Sequence, residues 1–182
     1  HAPLPAVPAE LSSVPPIANS LPQHVALDDL GPAPDFTGIQ AWITSQPLAM
    51  ASLRGKVVLV EFWTFACSNC NHVQPYVIAW NDRYASSGLV VIGVHTPELS
   101  FERELSNVRN AVSKAGIRYA VAVDPGFSTW NAYRNSYWPA MYFIDNTGQI
   151  RHTHFGEGDY AGSEQVLREL LAEHVWSTRL RS

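Results

Sequence analysis

Cysteine is scarce in this 182-residue chain, which contains two, Cys67 and Cys70. A closed zinc site usually shows a second Cys or His pair, and the sequence has none near these two. Charge is also sparse and leans negative, with 12 Lys plus Arg against 16 Asp plus Glu and a formal net charge of −4. A nucleic-acid partner would call for a basic face, so none is expected. No apolar stretch approaches the length needed to span a bilayer. The start His1-Ala2-Pro3-Leu4-Pro5 lacks the charged and apolar regions of a signal peptide. A chain opening on histidine is expected to be a mature or trimmed product. Internal repeats are absent as well. The length implies one domain plus a tail, with a core large enough to fold alone.

What is present is concentrated in Val57-Val58-Leu59-Val60-Glu61-Phe62-Trp63-Thr64-Phe65-Ala66-Cys67-Ser68-Asn69-Cys70. An apolar β-type run leads into both cysteines, two residues apart, and a helical pattern follows at once. That separation suits a reversible disulfide across the first turn of a helix. A helix N-terminus presents unpaired N–H groups and the positive end of the macrodipole beside Cys67. Such a setting favours a nucleophilic thiolate, the form that attacks disulfides. The stretch therefore reads as a redox centre. Two other readings stay open at this level: an inert structural disulfide, although so short a loop restrains an unfolded chain little, and a metal site using Cys67, Cys70 and His72. Covalent haem attachment fails, because Asn71 stands where the histidine would be needed.

Along the chain, residues 1–31 carry Pro3, Pro5, Pro8, Pro15, Pro16 and Pro22, then Gly31, the composition of a semi-extended linker or tail. The folded domain is expected over 32–182. Phe36 to Ile43 and Gln46 to Leu48 read as opening strands, and Val57 to Phe62 as a strand covered on both faces. A helix is expected from Ser68 to Tyr84, with Val73, Val77, Trp80 and Tyr84 inward and Pro75 bending it. Leu89 to Val94 is the next buried strand. Ser100 is expected to cap a second helix burying Phe101, Leu105, Val108 and Val112, stopped by Gly116. Tyr119 to Val123 reads as a strand and Phe127 to Tyr133 as a short helix. Met141 to Ile144 and Gln149 to His154 form a hairpin through Asn146-Thr147-Gly148. A last helix runs from Ser163 to about His174. This order predicts an α/β fold, a mixed sheet with helices on both faces.

Three pieces join the cysteine stretch in resembling the thioredoxin-like TlpA/DsbE redoxin group, and within it the extracytoplasmic domain of DipZ-type proteins: Val91-Ile92-Gly93-Val94-His95-Thr96-Pro97-Glu98, Tyr137-Trp138-Pro139-Ala140 and Arg151 to Gly158. The resemblance covers roughly residues 33–175. It implies a thioredoxin-like fold with an N-terminal β extension, and a thiol-disulfide oxidoreductase acting as a reductase in the bacterial cell envelope. It further implies protein disulfides as substrates and a CcdA/DsbD-like membrane thiol carrier as electron donor, on the same or a separate chain. The protein is expected to act as a monomer. No dissociable cofactor is required, since the Cys67–Cys70 pair is the redox group.

Cys67, first in the loop, is the expected nucleophile and Cys70 the resolving thiol. Glu61 sits where thioredoxins carry a buried acid; burial would raise its pKa and suit it to exchange a proton with Cys70. The rival for Glu61 is a surface carboxylate paired with Lys56. Pro139 is expected to be the cis proline facing the cysteines, a form rare among X–Pro bonds generally. Trp138, Trp63, Ser68 and Asn69 are expected around the substrate, with Phe65 packed at the loop. Ala66 replaces the tryptophan usual before the first cysteine, which weakens substrate contact at that edge. His95 and Glu98 follow a strand at its carboxyl end, the edge where α/β sheets place ligands. His152 and His154 read as an edge-strand face, and His72 as a helix-surface residue. A peroxiredoxin-type peroxidase would use Thr64, three residues before Cys67, but Val60 stands where that motif has proline. A copper- or haem-assembly module would use the same cysteines as ligands.

Overall fold

In the computed structural model, residues 27–181 are described. Most of the expected tail therefore lies outside the described residues. Its last part, 28–31, lies along the sheet edge: Asp28 N–H donates to Arg151 O at 3.0 Å and Leu30 N–H to Ile150 O at 2.9 Å.

Six strands form one mixed sheet in the order β1-β4-β3-β2-β5-β6, with β1 Ala41–Ile43, β2 Val57–Trp63, β3 Leu89–His95, β4 Ala120–Val123, β5 Ala140–Ile144 and β6 Ile150–Phe155. β2 runs parallel to β3 and antiparallel to β5 at the centre of the sheet. Every residue of β2 is buried, as its unbroken apolar run requires when both faces are covered. Alternate residues feed opposite cores. Leu59 and Trp63 face α1 (Ser68–Tyr84), α2 (Leu105–Ala115) and α4 (Tyr160–Arg179). Val58, Val60 and Phe62 face α3 (Ser128–Ala132) and the 3-10 turn Met50–Leu53. Phe62 is fully buried and meets Trp130, Tyr133 and Tyr142 edge-on, with ring centroids 5.3–5.7 Å apart.

Several expectations need correction. Only Ala41–Ile43 of the first stretch is a strand, and Gln46 to Leu48 is not. Thr44 turns at φ 65°, with its hydroxyl donated to Ile43 O and Tyr119 O, and Pro47 has no N–H for a ladder. Ser100 does not cap an α-helix. A 3-10 turn at Ser100–Arg103 comes first and α2 begins at Leu105, leaving Phe101 exposed rather than in the buried stripe. The last helix is longer than expected at both ends. By contrast, α1 spans Ser68–Tyr84 as predicted, and Gly88, Gly116 and Gly148 all take positive φ at their turns.

Gly93 matters for what lies above it. It stands opposite Glu61 in the β2–β3 register. A Cβ there would lie 2.9 Å from Trp63 Nε1 and 3.3 Å from the Tyr119 ring. The Trp63 indole is 2 % exposed and has nowhere to retreat. Gly93→Ala should therefore lower stability by about 1–3 kcal/mol through overpacking, seen as a lower urea midpoint at unchanged slope.

Candidate active site

Cys67 and Cys70 are brought to the junction of β2 and α1, at the carboxyl end of the parallel strands. Cys67 is the N-cap of α1, in extended backbone, and its Sγ accepts the Cys70 N–H at 3.2 Å. It thus takes one of the orphan amide donors of the first turn. Both are free thiols; Cys67 is half-buried and Cys70 fully buried. Burial drives the Cys70 thiol well above its ordinary range, and a hydrogen bond with Cys67 and the nearby Cys67 and Glu61 charges push it the same way. Ser68 and Asn69 are exposed beside Cys67, as a substrate contact needs.

Glu61 lies on the same face of β2 as Trp63, beneath the cysteines. It is fully buried, and neither carboxylate oxygen has a hydrogen-bond partner. The rival pairing with Lys56 is not made. Desolvation alone pushes its pKa up to about 8. Gln74 of α1 and Tyr119 complete this buried polar layer, the Gln74 amide donating to the Tyr119 hydroxyl.

The Trp138–Pro139 peptide is cis, as expected, and precedes β5, whose Ala140 pairs with Phe62 of β2. Trp138 is half-buried; its indole N–H donates to Thr96 O at 2.8 Å, and it packs on Trp130 at 4.2 Å. Trp63 is a correction. It is buried beneath the loop, its ring edge-on to His95 at 4.9 Å, so it supports the site and cannot touch a substrate. Tyr137 and Phe155, not singled out by the sequence, lie next to the site. Both are exposed, with rings 5.0 Å apart beside Pro139. The signal was available in Tyr137, next to Trp138.

A second group surrounds the three residues before Cys67. His95 ends β3, fully buried, and its Nε2 accepts the Phe65 N–H at 3.2 Å. Accepting there requires a neutral ring, and burial holds His95 down to about 4. Glu102, not anticipated, is 1 % exposed and accepts the Thr64 hydroxyl and the Ala66 N–H on one oxygen. Burial raises its pKa, but the bonds from Thr64, Ala66, Leu99 and Glu98 outweigh this and hold it below the usual carboxylate range. Glu98 contributes only its backbone N–H. His72 is exposed and pairs with Glu157 at 2.8 Å. His152 and His154 lie on β6, the edge strand beyond β5, with His152 against Phe143. Among the described residues, no three His, Cys, Asp or Glu side chains cluster closely enough to hold a metal ion. A cavity of about 670 Å³, lined by Arg54, Asn146, Thr147, His174 and Arg181, lies at the opposite end of β2 from the cysteines.

The model of the AhpC/TSA family matches residues 31–153. The chain belongs to that family. Within it, the chain is 49 % identical over 148 residues to Protein DipZ of Mycobacterium bovis, covering 80 % of this chain and 21 % of DipZ. The chain thus spans about a fifth of the length of that relative. It is 29 % identical to the thiol-disulfide oxidoreductase YkuV of Bacillus subtilis, across 78 % of this chain and 95 % of YkuV. The crystal structure of a thiol-disulfide isomerase from Corynebacterium glutamicum superposes with a TM-score of 0.67 at 30 % identity, covering 76 % of this chain and 96 % of that one. The redoxin resemblance and the thioredoxin-like mixed sheet are both borne out.

The isolated Glu61 carboxyl makes a prediction about stability. The folded protein keeps its proton up to about pH 8, whereas the unfolded chain releases it near 4.5. Between those values the folded state binds more protons, so stability falls as pH rises. Glu61→Gln removes this dependence. Whatever fixed offset the amide adds, urea unfolding should show the variant gaining on the wild type from pH 4.5 to 8, by up to about 5 kcal/mol in total. A pH-independent difference would show that Glu61 ionises freely in the folded state.

Proposed function

We propose that this chain is an extracytoplasmic thiol-disulfide oxidoreductase that works as a reductase through Cys67 and Cys70. The observation that carries the reading is the asymmetry of the pair. One sulfur is partly accessible at a helix N-terminus; the other is buried one turn in, above a carboxyl that holds its proton.

In this scheme the Cys67 thiolate attacks one sulfur of a substrate disulfide. The substrate S–S bond breaks, its other sulfur leaves as a thiolate, and a Cys67–substrate disulfide forms. Cys70 then loses its proton and attacks Cys67 Sγ, which releases the second substrate sulfur and closes the Cys67–Cys70 disulfide. Two electrons have passed from the pair to the substrate, and a dithiol donor must return them. The Cys70 proton needs an acceptor in a dry place. At a pKa of about 8, roughly a tenth of Glu61 is ionised at pH 7 and able to take it. Ser68, Asn69 and Trp138, with Tyr137 and Phe155 beside Pro139, line the face on which an extended substrate would lie.

The reductase direction rests on the similarity to DipZ; a strong oxidant would instead have a stabilised dithiol form. The similarity to DipZ supports an envelope location and a membrane-embedded thiol carrier as the electron source. A peroxidase is disfavoured because Thr64 is buried with its hydroxyl already donated to Glu102.

Insulin reduction with dithiothreitol as electron source tests the reading. Cys67→Ser should abolish turnover. Cys70→Ser should stop after the first attack and accumulate a protein–substrate mixed disulfide, visible on a non-reducing gel. Turnover by Cys67→Ser, or a mixed disulfide formed by Cys70 instead, would reverse the assigned roles.

A further inference from the structure

We propose that Glu102 is a positioning residue of the redox centre, acting on Cys67 through Thr64 and the Ala66 amide. This rests on the oxidoreductase reading and extends it.

Glu102 sits in the 3-10 turn after β3, and its two oxygens do different jobs. Oε1 accepts Leu99 N–H at 2.7 Å and Glu98 N–H at 3.2 Å, which is ordinary capping of its own turn. Oε2 reaches back across the sheet to the loop ahead of the nucleophile, where it accepts the Ala66 N–H at 3.0 Å and the Thr64 hydroxyl. Capping the turn does not require that second oxygen to leave the turn. Four donors on one buried side chain need lone pairs on both oxygens, and only an ionised carboxylate offers them. A glutamine would turn an NH₂ group toward two of the four donors. An aspartate is one methylene shorter.

The rest of the loop is fixed with equal care. Phe65 N–H goes to His95, Cys67 N–H to Thr64 O at 3.3 Å, and Phe65 O accepts from the Asn71 amide at 3.3 Å. Each amide of residues 65–67 therefore has a partner, and two of the three partners are buried side chains from the end of β3 and the turn after it. The consequence is a defined path into α1, which holds Cys67 Sγ over the Cys70 amide. Thr64 connects the two side-chain partners: its hydroxyl is donated to Glu102 and lies 3.3 Å from His95 Nε2.

Alkylation of the reduced protein by iodoacetamide reads the position of Cys67 without any disulfide substrate. Thr64→Val keeps the shape and removes the hydroxyl; Thr64→Ser keeps the hydroxyl. We expect Cys67 alkylation at pH 7 to slow about tenfold in Thr64→Val, the size of one lost hydrogen bond, and to be restored in Thr64→Ser. Glu102→Gln should slow it at least as much. Alkylation by Thr64→Val at the wild-type rate, with only a lowered thermal midpoint, would overturn the proposal and leave Glu102 as a turn cap. If Glu102→Gln fails to fold, the Thr64 pair still decides. A wild type with normal alkylation but no insulin reduction would instead count against the oxidoreductase reading.

Discussion

Trp63 and His95 stand opposite each other in the last rung of the parallel β2–β3 pair, and the redox centre depends on that rung. Beyond it both strands must turn out of the sheet, and the polar backbone they expose lies in a buried place, where unpaired groups are costly. The chain resolves this with a small set of cross-connections. Thr96 N–H returns to Trp63 O at 3.0 Å, while Thr96 O accepts from Trp138. His95 and Glu102 take the amides of the loop that follows β2. One dipeptide, His95-Thr96, thus touches both the cysteine loop and the proline loop, and fixes their relative position. Asp124 anchors it from behind, accepting the Thr96 hydroxyl at 3.1 Å and two amides from the start of α3.

Below this rung the chemistry is set by dryness. Glu61, Gln74, Tyr119 and the Trp63 indole form a polar layer inside an otherwise apolar core, with Gly93 leaving the space in which they meet. Burial raises the proton affinity of both Glu61 and Cys70. The same effect that costs stability at high pH thereby keeps a proton store next to Cys70. Above the rung the surface is aromatic and open, with Tyr137 and Phe155 beside the proline. Cys67 is the point where the two regimes meet.

Much of this was legible in the sequence because its signals are local. The apolar run of β2, the cysteine cap and the inward stripe of Val73, Val77 and Trp80 locate the centre without tertiary information. Glu61 stands out as a lone acid in a hydrophobic strand. What was not legible depends on partners distant in sequence. Glu102 looks like any acid in a charged turn, and only its reach to Thr64 and Ala66, more than thirty residues back, reveals a role. Trp63 was misassigned for the mirror reason: aromatic residues near a reactive cysteine suggest contact, but strand alternation turns this one inward. The short β1 and the 3-10 turn ahead of α2 reflect a turning Thr44 and a competing local cap, which periodicity does not report. The face formed by Tyr137 and Phe155 requires β5 and β6 to pair before it exists.

The reduction potential of the Cys67–Cys70 pair, measured by equilibration with a dithiol buffer and thiol counting, tests the account most directly. The proposed reductase role predicts a reducing pair, with a value of roughly −270 mV or below, as in thioredoxin. A value near roughly −120 mV, that of a strong disulfide donor, would contradict it, because the dithiol would then be the stabilised form.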